Sequence, residues 1–208
     1  MKNFDKFLFE TITKKCLYIK KKTKIKYLGL HEPTFNKQDI SFCSKTISKG
    51  FVSTSGEDIK KFEQKLKNFL NCKYVIMTNS GTSALHSLLV SMDIKKNDEI
   101  LVPSLTFVGT INPILYTNAI PNFIDINIDN HSVCPLKLEE YLKKNTIQKN
   151  KKCFNKKTKR RVKALIVVHV FGQIGHINDL VNLAKKYNLK LIEDGAESLG
   201  STYLNKHA

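Results

Sequence analysis

From residue 73 onward the chain alternates short, nearly continuous apolar runs with amphipathic stretches, and no other feature constrains the fold as tightly. The segments 73–78, 99–102, 122–126, 162–170 and 189–194 read as strands, and 82–92, 106–116, 135–144 and 177–187 read as helices. Strands that are apolar on both faces belong to parallel sheets covered by helices on each side. Their alternation with helices predicts an α/β fold with a mainly parallel central sheet. The Lys- and Asn-rich stretch 145–159 reads as a surface loop or insertion. Upstream, residues 35–70 predict two helices around Gly50-Phe51-Val52-Ser53-Thr54-Ser55-Gly56. In the second helix Ile59, Phe62, Leu66 and Phe69 recur at helical spacing, with Ser55 as a candidate N-cap. Residues 1–30 read as a basic, partly helical arm.

Ligands of open parallel sheets bind beyond the carboxyl ends of the strands. Four segments fall there: 79–82, 103–107, 169–173 and 194–198. The first opens Asn79-Ser80-Gly81-Thr82-Ser83-Ala84-Leu85, where free amides at a helix start and the Thr82 and Ser83 hydroxyls suit a phosphate. The same residues also make an ordinary N-cap. The chain has neither a G-x-G-x-x-G nor a Gly-Lys-Ser/Thr motif, which argues against dinucleotide and P-loop sites. In Pro103-Ser104-Leu105-Thr106-Phe107, Phe107 offers a flat wall to a planar ring, or core packing. His169, in His169-Val170-Phe171-Gly172-Gln173, reads as structural support for the site.

The strongest candidate closes the last strand, where Leu189-Lys190-Leu191-Ile192 runs into Glu193-Asp194-Gly195-Ala196-Glu197-Ser198. A carboxylate at Asp194 can pair with a protonated ring nitrogen and hold it charged, each pKa unit of coupling being worth about 1.36 kcal/mol. Glu197 is placed to reach a neighbouring substituent of the same ring. An acid for a ring nitrogen and a helix start for a phosphate together describe a phosphorylated heterocycle.

The net charge of +17 comes from 35 Lys+Arg against 18 Asp+Glu. It gathers in two blocks. One holds Lys14, Lys15, Lys20, Lys21, Lys22, Lys24 and Lys26. The other, residues 143–163, includes Lys156, Lys157, Lys159, Arg160 and Arg161 with no acid among them. Neither carries a nucleic-acid-binding motif, so both read as solvated surface. The five cysteines are odd in number and form no C-x-x-C pair, which points to reduced thiols rather than disulfides or zinc. No apolar run approaches the roughly 20 residues of a membrane helix. A cytoplasmic protein without membrane, nucleic-acid or metal partners is expected.

Taken together, these motifs resemble the DegT/DnrJ/EryC1/StrS family of sugar aminotransferases, which use pyridoxal 5'-phosphate (PLP) on the type I, aspartate-aminotransferase-like fold. The resemblance covers roughly residues 30–208. It is carried, in order, by Gly-Phe-Val-Ser at 50–53, the 79–85 run, Pro-Ser-Leu-Thr-Phe, His-Val-Phe-Gly-Gln and Glu-Asp-Gly-Ala-Glu-Ser. His31-Glu32-Pro33 and the 51–56 segment look like the subgroup that makes 4-amino sugars of legionaminic-acid or bacillosamine type. The resemblance implies that Gly81 and Thr82 hold the PLP phosphate and that Phe107 stacks on the ring. It also implies that Asp194 pairs with the pyridine nitrogen and that Glu197 lies near the 3'-hydroxyl. Gly195 departs from the family's usual Ala.

The same resemblance implies a homodimer converting a 4-keto nucleotide sugar to a 4-amino sugar with glutamate as donor, for surface polysaccharide or glycan synthesis. The family's Schiff-base lysine lies in a Ser-Phe-Asn-rich segment shortly after the hairpin matched here by Tyr203-Leu204-Asn205-Lys206-His207, and the sequence given stops at Ala208. Lys206 matches a hairpin position and not that lysine, so no catalytic residue is assigned. Residues 1–30 are expected to be the arm, and 31–208 a partial PLP-transferase large domain truncated before the small C-terminal domain. The expectation is an N-terminal portion of such an enzyme that does not transaminate by itself. The alternatives are a non-catalytic truncated homologue acting only through interactions, or a basic nucleic-acid-binding domain.

Overall fold

The computed structural model describes residues 2–23, 33–53 and 56–207. The chain divides into two compact units, Met1–Asp58 and Ile59–Ala208. The first holds α1 (Lys2–Thr23) and α2 (Lys37–Ser48). The start of α2 is fixed by a capping box. The Asn36 side chain accepts the amides of Gln38 and Asp39 at 2.7 and 3.1 Å, and the Asp39 carboxylate takes the Asn36 N–H at 2.8 Å. Helix α3 (Glu57–Leu70) begins at the boundary, so the two helices expected over 35–70 are both present. Ser55, the expected cap of α3, and His31-Glu32 lie outside the described residues.

The second unit carries the alternation. It runs through α4 (Gly81–Ser91), β1 (Glu99–Pro103), α5 (Val108–Tyr116), β2 (Ile120–Ile124), α6 (Pro135–Asn145), β3 (Thr146–Lys149), β4 (Lys152–Asn155), β5 (Arg161–Val168), α7 (Ile177–Lys186) and β6 (Lys190–Asp194). It ends in the small hairpin β7 (Thr202–Tyr203) and β8 (Lys206–His207). Strands β2, β1, β5 and β6 lie side by side and are all parallel. This is the mainly parallel central sheet that the alternation predicts.

Strand parity sorts the core. On β5, Ala164 and Ile166 face the layer of Leu85, Leu89 and Ile114 from α4 and α5. Leu165 and Val167 face Leu138, Leu142, Leu180 and Leu183 from α6 and α7. With a period of two and helices on both faces, every second residue finds a different partner and none finds water.

Two expectations are corrected. Residues 73–78 form no strand. A strand needs a neighbour to complete its ladder, and none of the described residues pairs with this segment. Tyr74 and Ile76 are 74% and 82% exposed, and the Met77 N–H bonds the Glu63 carboxylate at 2.9 Å instead. Conversely, 145–159 is not a loop. It contains the antiparallel β3–β4 hairpin, which also pairs with the start of β5. Asn150 and Lys151, at φ 51° and 55°, make the two-residue turn with the twist that hairpins favour.

A buried carboxylate ties this hairpin to the sheet. Glu99, 2% exposed at the start of β1, accepts from Asn122 Nδ2 and Asn155 Nδ2 at 2.9 Å each, and from the Thr158 hydroxyl. Asn122 Nδ2 also donates to the Tyr141 hydroxyl at 2.6 Å. Burial raises the Tyr141 phenol and the Cys153 thiol above their ordinary pKa values, and Glu99 adds a smaller push in the same direction.

Candidate active site

The carboxyl ends of the parallel strands open into one cleft of about 640 Å³. Gly81, Thr82, Phe107, His169, Asp194 and Glu197 all line it. These six residues are therefore brought to one place, from four separate stretches of chain, whereas Ser83, whose hydroxyl also suited a phosphate, is turned to Ser80 and does not line the cleft.

At one end stands the start of α4. Ser80 caps it, its hydroxyl accepting the Ser83 N–H at 3.1 Å. The Gly81 and Thr82 amides belong to the first turn and have no partner within the helix, so they present donors and the positive end of the helix dipole. Phe107, at the N-cap of α5, is 77% exposed and offers an aromatic face to the cleft.

At the other end Asp194 closes β6, in register with Val168 of β5. Its carboxylate is held on both oxygens. Oδ2 accepts the Thr110 hydroxyl at 2.7 Å, and Oδ1 accepts the Ala196 N–H at 3.2 Å. Glu197 accepts the Phe171 N–H at 2.8 Å. Phe171 sits at φ 55°, a left-handed conformation that costs on the order of 1 kcal/mol without glycine. That turn carries the Phe171 N–H to the Glu197 carboxylate. His169 is buried, and its Nε2 lies 3.0 Å from Glu193 Oε2, whereas its Nδ1 has no partner among the described residues. The His169 ring thus bonds the acid next to Asp194, while only its backbone N–H reaches Asp194, donating to the carbonyl at 3.2 Å.

Two residues went unread in the sequence. Thr110 and Gly109 lie inside a segment whose apolar pattern predicts only a helix. A Cβ on Gly109 would come within 2.9 Å of the Phe107 ring and 3.0 Å of Thr82 Oγ1. The one available signal was a glycine in the first turn of a helix that otherwise packs on the sheet. Gly109→Ala is expected to swing the Phe107 ring away and to weaken binding of a planar phosphorylated ligand about tenfold, roughly 1.4 kcal/mol. An unchanged dissociation constant with an unchanged melting temperature would show that the close approach is irrelevant to the cleft.

Helix-covered parallel strands with an acid, an aromatic wall and a helix start at their carboxyl edge define a large domain of the type I PLP fold. The chain belongs to the DegT/DnrJ/EryC1/StrS aminotransferase family, whose model matches residues 33–208. It is 31% identical over 183 residues to GDP-perosamine synthase of Escherichia coli O157:H7, covering 88% of this chain and 46% of that protein. Among solved structures, the aminotransferase from Psychrobacter cryohalolentis superposes with a TM-score of 0.73 at 25% identity, over 85% of this chain and 41% of the other. NtdA from Bacillus subtilis, with bound cofactor PMP, superposes with a TM-score of 0.68 at 26% identity, over 88% and 41%. The chain thus spans about half the length of the curated relatives it matches. The cofactor indicated for the family is PLP.

The residues present fit that group. Gly81 has open space where a side chain would stand, beside donors suited to a phosphate, and Gly109 leaves room for the Phe107 wall. Asp194 holds its carboxylate fixed on both oxygens, the type of group that would pair with a pyridinium. Among the described residues no helix is long and apolar enough to cross a membrane.

Proposed function

We propose that this chain forms the cofactor-binding part of a PLP-dependent aminotransferase that converts a 4-keto nucleotide sugar to a 4-amino sugar. Glutamate is the amino donor, and the enzyme works as a cytoplasmic homodimer in surface polysaccharide or glycan synthesis. The observation that carries this reading is the convergence of Gly81, Thr82, Phe107, Asp194 and Glu197 on one cleft, with the Asp194 carboxylate held on both oxygens. Relatives named GDP-perosamine synthase and dTDP-3-amino-3,6-dideoxy-alpha-D-galactopyranose transaminase support the substrate class.

In this reading the Gly81 and Thr82 amides and the Thr82 hydroxyl bind the phosphate. Phe107 packs on the ring face and excludes water from it. Asp194 keeps the proton on the ring nitrogen, since a carboxylate in contact favours the charged form. Glu197, with one oxygen on the Phe171 amide, orients a polar substituent of the ring. Bound PLP supplies the electron sink that amino-group transfer requires.

The test uses the full-length protein and 4'-deoxypyridoxine 5'-phosphate, which has the ring and phosphate but no aldehyde. Saturable binding displaced by PLP is expected, with the unphosphorylated ring binding at least about a hundredfold more weakly, as for the loss of a charge-assisted anion site. Equal affinity for the two ligands, or no saturable binding, would remove the cofactor assignment.

A further inference from the structure

The first turn of α5 does more than begin a helix. Thr106 Oγ1 donates to Thr110 Oγ1 at 2.7 Å, and Thr110 Oγ1 donates onward to Asp194 Oδ2 at 2.7 Å. Thr110 is 1% exposed, so its hydroxyl meets these protein groups with little access to bulk water. A hydroxyl has one proton to give. Because Thr110 spends its proton on Asp194, its lone pairs are left to receive Thr106, and the two bonds run in one direction and polarise each other. The Ala196 N–H holds the other carboxylate oxygen. Asp194 is thereby fixed in rotation, with a donor on each carboxylate oxygen.

We propose that the Thr106–Thr110 hydroxyl pair is a positioning device that aims the Asp194 carboxylate at the ring nitrogen of a bound pyridine. Neither threonine need touch the ligand's nitrogen. They act through Asp194, and the proposal rests on the PLP reading of the cleft. A structural tether between α5 and β6 would make the same two bonds, but it would affect all ligands of the cleft alike. A positioning role affects only a ligand that has the nitrogen.

The experiment therefore compares two ligands on the full-length protein: 4'-deoxypyridoxine 5'-phosphate, and the same molecule with carbon in place of ring nitrogen. The wild type is expected to prefer the pyridine. Thr110→Val keeps the side-chain volume and removes the donor. It is expected to reduce that preference by about tenfold, through weaker binding of the pyridine while affinity for the carbon analogue holds, tenfold being what loss of one bond to a charged group delivers. Thr110→Ser is expected to restore the preference. Should Thr110→Val fold poorly, Thr106→Val removes the backing hydroxyl at a half-exposed position and is expected to lower the preference about threefold, in line with a donor one bond further away. A preference unchanged in Thr110→Val, or in Thr106→Val if only that variant folds, overturns the proposal while leaving the PLP reading intact. A wild type that binds neither ring ligand removes that reading, and the proposal falls with it.

Discussion

Glu99→Ala is expected to lower the unfolding free energy by about 3 kcal/mol, although the residue lies at the opposite end of β1 from the cleft. The substitution removes the shared acceptor of Asn122, Asn155 and Thr158. Asn155 is buried and Asn122 half-buried, so two amide groups are left with donors that water reaches poorly, and each such orphan costs about 1–3 kcal/mol. Glu99→Gln keeps the shape but turns an amide nitrogen toward other donors, and should cost about half as much. Denaturant titration of both variants gives the numbers, and hydrogen exchange shows where the loss falls. The β3–β4 amides are expected to lose protection first, because Asn155 joins that hairpin to β1. A Glu99→Ala variant within about 1 kcal/mol of wild type would mean that the network contributes little.

Asp194→Ala is the second large effect, and it acts on the ligand rather than the fold. Deleting a charged partner of a ring nitrogen removes an interaction worth about 1.5–3 kcal/mol, so affinity for 4'-deoxypyridoxine 5'-phosphate should fall about a hundredfold. Asp194→Asn preserves the bond from Thr110 but not the charge, and should fall nearly as far. Stability should fall by about 1 kcal/mol in the Asn variant, because its single amide oxygen can accept from the Thr110 hydroxyl or from the Ala196 N–H but not from both. A loss smaller than about threefold in both variants would show that the carboxylate does not face the ring nitrogen.

The fold was legible where both faces of a strand are covered. The β5 core positions Ala164, Leu165, Ile166 and Val167 are all buried, and an unbroken apolar run announces that arrangement. The cleft was legible for a related reason: its residues sit where those runs end, and polar or small residues directly after an apolar strand are visible in a linear sequence. The errors have a different origin. The apolar run 73–78 resembles the others, but pairing depends on a neighbour and not on composition. The hairpin in 145–159 was hidden because its anchor is polar. Asn155 reaches Glu99 across 56 positions of sequence, and no periodicity encodes that contact. Thr110 was missed likewise, since its partner Asp194 is 84 residues away.

The strand that links hairpin and cleft also sets their separation. The β3–β4 hairpin pairs with β5 near Val162, and the cleft opens at Val168. Six residues of extended chain span about 20 Å. Physiological salt screens charge over about 8 Å, so the point where the hairpin joins β5 lies more than two screening lengths from the carboxyl end of that strand. The basic residues of the hairpin are thus held apart from the carboxyl ends of the strands. Those charges bear on solubility and encounters at the hairpin, while in the proposed reading anion binding in the cleft depends on a few local amides and a hydroxyl.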